Sequence, residues 1–334
     1  MKYFTLFFLV FSAGLRYAAA QTAYPAELIV AADGSGNYKT IQEAVNSVRD
    51  LGEARVRIHI KKGVYHEKLV VPSWKTNISL IGESAENTVI TGAGFSGKPI
   101  EGGSDAFGLT KFSTYTSYTV LVEAKGTHIE NLTIANTAGR VGQAVALHVE
   151  GDMVEVRNCR ILGNQDTLYA ATAGSRQYYR DCYIEGTTDF IFGEAICVFE
   201  GCTIKSLSNS YITAAAQRKE QEFGFVFFDC RLTAAPEARE VYLGRPWRPY
   251  AKTVFIRTEM DAHIRPEGWH HWPGDKMFPD KEKTAYYAEY KSTGVGAQPA
   301  KRVSWSKQLS AAQAKKYTLA NIFRGMPAWN PTGK

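Results

Sequence analysis

Four side chains in this 334-residue sequence stand at intervals that could bring them to one place. Asp166 and Asp189 are 23 residues apart, and Gln143 and Gln165 are 22 apart. Asp166 lies in NQDTLYA and Asp189 in DFIFG, each next to apolar residues ready for burial. Taken singly, such an Asp reads as a turn residue that hydrogen-bonds its own backbone. At a shared interval, two acids and two amides become candidates for one patch of surface. Two carboxylates about 5 Å apart do not both ionise readily, so one keeps its proton while the other serves as an anion. A side-chain amide beside them can donate to an oxygen that becomes negative. Acid, nucleophile and oxyanion donor are what ester hydrolysis requires. A polar ladder with a purely structural role accounts for the same spacing.

Elements that place residues 22 or 23 positions apart side by side must themselves repeat. ENLTI around Leu132, RNCRI around Cys159, RDCYI around Cys182, EGCTI around Cys202 and FDCRL around Cys230 share one pattern: a polar residue, Leu or Cys, one residue, then Ile or Leu. Each copy alternates like a strand and lies near a turn signal. Repeats of this length made of short strands predict a solenoid, since one coil buries its apolar face only when the next stacks on it. The dense leucine signature of leucine-rich repeats is missing, so a parallel β-helix is expected. Its coils stack at about 4.8 Å. Leu132, Cys159, Cys182, Cys202 and Cys230 then form an inward ladder of free thiols behaving as small hydrophobes, with one disulfide as the alternative.

A solenoid needs capped ends. Residues 38–48, YKTIQEAVNSV, carry Ile41, Ala44, Val45 and Val48 at helical spacing and predict an N-terminal capping helix. Residues 306–323 predict short C-terminal helices packed outside or across the other end. Residues 1–20 predict a signal peptide: Lys2, an apolar run, and AAA as a cleavage site. The remainder, 21–334, reads as a single β-helix domain without a linker. It has no span of about 18 apolar residues, so a soluble protein, secreted or periplasmic, is expected. The net charge of +6 suits a polyanion. The Lys and Arg residues are scattered, which together with secretion disfavours nucleic acid and favours an acidic polysaccharide.

Other chemistries find less support. His263, His270 and His271 match no zinc signature, and no metal or cofactor is expected. A Gly-x-Ser-x-Gly elbow is missing, and ADGSGNY lacks the ending of a phosphate loop. Glu67 in GVYHE reads as structural, and the Phe residues of DFIFG read mainly as wall and core.

GVYHE (63–67), QAVAL (143–147), QDTL (165–168), DFIFG (189–193) and LGRPW (243–247) occur in this order. Together they resemble the pectin methylesterase family, across roughly residues 31–272. The resemblance implies an all-β, right-handed parallel β-helix and metal-independent removal of methyl esters from homogalacturonan by a monomer. It also implies Asp189 as nucleophile, Asp166 as general acid and then base, and Gln143 as an oxyanion donor with Gln165 beside it. Arg245 is implied as the group that holds Asp189 ionised, and Trp247 as a sugar-facing aromatic. Trp269 is similar to a family groove aromatic, and Thr114 and Phe190 are candidates for the same groove. Two rivals stay open: a β-helix enzyme that cleaves the pectin backbone, and a polysaccharide-binding solenoid without activity.

Overall fold

Short runs of two to five residues with alternating or continuous burial are the repeating unit of this protein. The computed structural model describes residues 24–105 and 108–331, so the expected signal peptide, 1–20, lies outside the described residues. Among these, parallel strands stack into three sheets of eleven, eight and seven strands, forming a right-handed parallel β-helix. One coil runs through Leu168–Ala170 in the seven-stranded sheet, Arg176–Arg180 in the eleven-stranded sheet and Tyr183–Gly186 in the eight-stranded sheet. No helix among the described residues is long and apolar enough to cross a membrane.

The repeated pentapeptides mark one corner of this coil. Asn131, Asn158, Asp181, Gly201 and Asp229 all have positive φ, between 45° and 64°. Asn, Asp and Gly tolerate this left-handed backbone, so a single residue turns the chain from one sheet to the next. The next residue then points inward. Leu132, Cys159, Cys182, Cys202 and Cys230 are each at most 2% exposed, and all five cysteines, including the buried Cys197, are free thiols. The expected ladder is therefore present. Beside it run Ile134, Ile161, Ile184, Ile204 and Leu232 in strict register, all fully buried. Another stack joins Tyr179, Phe199, Phe227 and Phe255 at centroid spacings of 4.8, 4.5 and 4.4 Å. Each such side chain contributes about 1.5–3 kcal/mol on burial.

Helix Ile41–Ser47 closes the N-terminal end with Ile41, Ala44 and Val45 buried, as the spacing predicted. Thr40 caps it, and Glu67 adds a second cap: its two carboxylate oxygens accept the Ile41 and Gln42 N–H groups at 2.9 Å each. Free N–H groups and the helix dipole both favour an anion there, so the Glu of GVYHE is structural. At the other end, 306–323 is less helical than expected. It holds a strand, Lys307–Gln308, and two single turns, Ala311–Ala314 and Leu319–Ile322. The strand pairs with the last long strand of the eleven-stranded sheet, whose edge would otherwise be open. Ile322 and Phe323 then pack on Tyr178, Val198 and Val226 outside that sheet.

Candidate active site

The seven-stranded sheet positions the chemistry. Leu168 pairs with Ile191, so Asp166 and Asp189, each two residues earlier, are equivalent positions of adjacent coils. Both have left-handed backbone, with φ 64° and 49°. Each is pinned to the following coil: Asp166 N–H donates to Thr188 O at 3.0 Å and Asp189 N–H to Tyr211 O at 2.8 Å. The Thr167 hydroxyl donates to Asn164 O and Glu185 O at 3.0 Å each, which fixes the NQDT turn. Gln143 and Gln165 form an isolated parallel bridge beside the acids. The 22- and 23-residue intervals are thus genuine coil repeats.

Arg245 comes from strand Tyr242–Pro246, which pairs with Tyr211–Ala215. Its register partner is Ala214, and its guanidinium reaches back over one coil to Asp189. Nε donates to Oδ1 at 3.0 Å and Nη2 to Oδ2 at 2.5 Å, a bidentate pair. The guanidinium also lies over the rings of Tyr211, at 4.1 Å, and Trp272, at 3.5 Å.

The two acids differ in their electrostatics. Burial pushes Asp166 well above the usual carboxylate range, the charge of Asp189 adds to this, and Arg245 opposes it. No hydrogen bond from the described residues offsets that burial. Burial also raises Asp189, but the hydrogen bonds and charge of Arg245, with Lys281 further off, hold it down. Arg245 does not bring Asp189 below its ordinary value, because desolvation outweighs the pair. The proton therefore resides preferentially on Asp166.

These groups open into a cleft of about 330 Å³ that Thr114, Gln143, Gln165, Asp166, Asp189, Arg245 and Trp247 all line. Two expected groove residues are elsewhere. Phe190 is fully buried in the main core, and Trp269 is 1% exposed, packed on Tyr287 and Phe255 at 4.4 and 5.8 Å. Their places at the cleft are taken by Phe192 and Trp272, and Tyr115 and Ala214 join them. Phe192 was legible in principle. It follows Asp189 by three residues as Tyr169 follows Asp166, and the two rings stack at 4.5 Å on the outer face. Nothing in PEGWHHW distinguishes Trp269 from Trp272.

The pectinesterase family profile matches residues 27–326. The chain is 37% identical, over 96% of its length, to the probable pectinesterase/pectinesterase inhibitor 58 of Arabidopsis thaliana, but spans 55% of that relative's own length. Among solved structures, a pectin methylesterase from carrot superposes with TM-score 0.79 at 35% identity, covering 91% of this chain and 94% of that one. A pectin methylesterase in complex with a hexasaccharide has TM-score 0.76 at 30% identity, covering 91% and 97%.

Proposed function

The chain belongs to the pectinesterase family, and from that premise we propose that it hydrolyses the C6 methyl esters of homogalacturonan to free carboxylates and methanol. The observation that carries this reading is the asymmetry of the acid pair: Asp189 gripped at two points by Arg245, Asp166 buried without a donor. An oriented anion is a nucleophile and a protonated neighbour is an acid. Asp189 attacks the ester carbonyl carbon, and Gln143 and Gln165 donate to the resulting oxyanion. Collapse breaks the bond to the methoxyl oxygen, which takes the proton of Asp166 and leaves as methanol. Asp166, now an anion, removes a proton from water. The hydroxide adds to the acyl carbon, the bond to Asp189 breaks to restore its carboxylate, and the galacturonic acid product departs, losing its proton to solvent.

The cleft suits a polymer. Trp247 offers an apolar face beside the acids and packs edge-on to Phe192 at 5.8 Å, and Thr114 lines the same cleft. A related pectin methylesterase was crystallised with a hexasaccharide, consistent with a chain of sugars along this sheet. We read the enzyme as a monomer that acts outside the cell, secreted or periplasmic, on methyl-esterified pectin, without metal or cofactor.

The test is methanol release from highly methylated pectin, with unesterified polygalacturonate as control. Methanol without new reducing or unsaturated ends supports the ester reading over backbone cleavage. New chain ends, or binding without methanol, would refute it.

A further inference from the structure

The chemistry proposed above, on which this inference rests, depends on Arg245 staying against Asp189. A second cation, Lys281, shares the Trp272 ring with Arg245. Trp272 has φ 57°, a left-handed backbone that bulky residues adopt only where their surroundings enforce it. Its ring carries the Arg245 guanidinium at 3.5 Å and the Lys281 ammonium at 4.4 Å. The Lys281 side chain has no solvent exposure, and its ammonium donates to Asp275 Oδ2 at 2.6 Å. Asp275 is itself fixed, because its Oδ1 accepts the Met277 and Phe278 N–H groups at 3.0 and 3.2 Å.

A buried ammonium is costly to desolvate, and an apolar side chain of similar length would fill the space without that cost. Here the charge has a partner surface. The indole face is electronegative and attracts both cations, so one aromatic plane can hold two like charges near each other. We propose that Lys281, anchored by Asp275, is a positioning residue: it locks Trp272 against the Arg245 guanidinium and so preserves the two-point grip of Arg245 on Asp189. Its charge also acts on Asp189 in the same direction as that of Arg245.

The experiment compares the parent with Lys281→Met, Lys281→Arg and Asp275→Asn in steady-state methanol release from methylated pectin across pH. Asp166, Arg245 and Tyr287 face Asp189 from neighbouring strands and turns, and none of them is substituted in any of the four proteins. In Lys281→Met, kcat should fall about 10- to 100-fold, the scale of a small misplacement of reacting groups, with KM little changed. The acidic limb of kcat/KM should move to higher pH, since a cation favouring the Asp189 anion is gone. Lys281→Arg should recover most of both effects, and the Arg245 Nε–H signal in NMR should lose protection from exchange in Lys281→Met. A folded Lys281→Met with unchanged kcat and acidic limb overturns the proposal. So does an equal loss in the Met and Arg variants with an unmoved limb, which is the signature of packing alone. If Lys281→Met does not fold, the limb of Asp275→Asn decides, and an unmoved limb overturns the proposal. A parent that releases no methanol refutes the functional reading instead, and the Arg245 Nε–H signal then decides the clamp by itself.

Discussion

Asp166 and Asp189 occupy the same position of successive coils, each two residues ahead of the Leu168–Ile191 pair and each in left-handed backbone. That backbone keeps both carboxyls out of the regular alternation of the strand and directed into the cleft. It also governs which variants are informative. Asn tolerates φ near 50–60°, whereas Ala there costs about 1–2 kcal/mol in strain.

Asp189→Asn and Asp166→Asn should both fold with near-parental circular dichroism. Asp166→Asn should slow methanol release by about 10²- to 10⁴-fold, the usual contribution of general acid and base. Asp189→Asn removes the proposed nucleophile and should leave less still. A folded Asp189→Asn that keeps a tenth of parental turnover would show that another group attacks.

Arg245→Ala should shift the pH–rate profile as well as lower it. Arg245 opposes the burial that raises Asp189, so without it Asp189 holds its proton to higher pH. The acidic limb of kcat/KM should move upward, and activity near neutrality should collapse. Loss at all pH values with an unmoved limb would count against the pairing as the reason for ionisation.

The acid pair should cost stability at neutral pH. Folding raises the proton affinity of Asp166, so the native state binds more protons than the unfolded chain. Stability is then fully present below the ordinary carboxylate value and declines as pH rises toward the elevated folded value. Asp166→Asn should therefore unfold at a higher temperature than the parent near pH 7, with the gain disappearing near pH 3. Calorimetry at the two pH values checks this, and a gain of equal size at both would contradict it.

Aromatic substitutions should separate the cleft from the core. Trp247→Ala should weaken binding of polymeric substrate by about 1–3 kcal/mol as an aromatic contact is lost, seen as a raised KM on pectin. Phe190→Ala removes a fully buried ring and should instead cost about 3–5 kcal/mol of stability. Equilibrium unfolding and kinetics on the same two proteins test the distinction.

Glu67→Ala should destabilise without touching catalysis. Two helix N–H groups of the N-terminal cap lose their acceptor, a change worth about 1–2 kcal/mol. Denaturant unfolding reads the loss, and an altered kcat would contradict the structural role.

Much of this protein was legible in one dimension because a solenoid turns sequence interval into spatial neighbourhood. The corner pattern of Asn, Asp or Gly followed by Leu or Cys predicted the inward ladder. The 22- and 23-residue intervals predicted that Gln143 meets Gln165 and Asp166 meets Asp189. The helical spacing of Ile41, Ala44 and Val45 predicted the cap. What the intervals could not supply were relationships that cross the repeat. Arg245 follows Asp189 by 56 residues, and it reaches back across Tyr211 of the intervening coil to make the pair. Phe190 and Phe192 would share a face in a regular strand, and it is the break in alternation beside the left-handed Asp189 that sends Phe190 into the core while Phe192 stays outside. Trp269 and Trp272 sit three residues apart in a loop without periodicity, where Trp269 packs into the core against Tyr287 and Trp272 lies over Arg245. The ionisation order of the acids likewise arises in three dimensions, since burial and the direction of a guanidinium are properties of the packed coil and not of residue type.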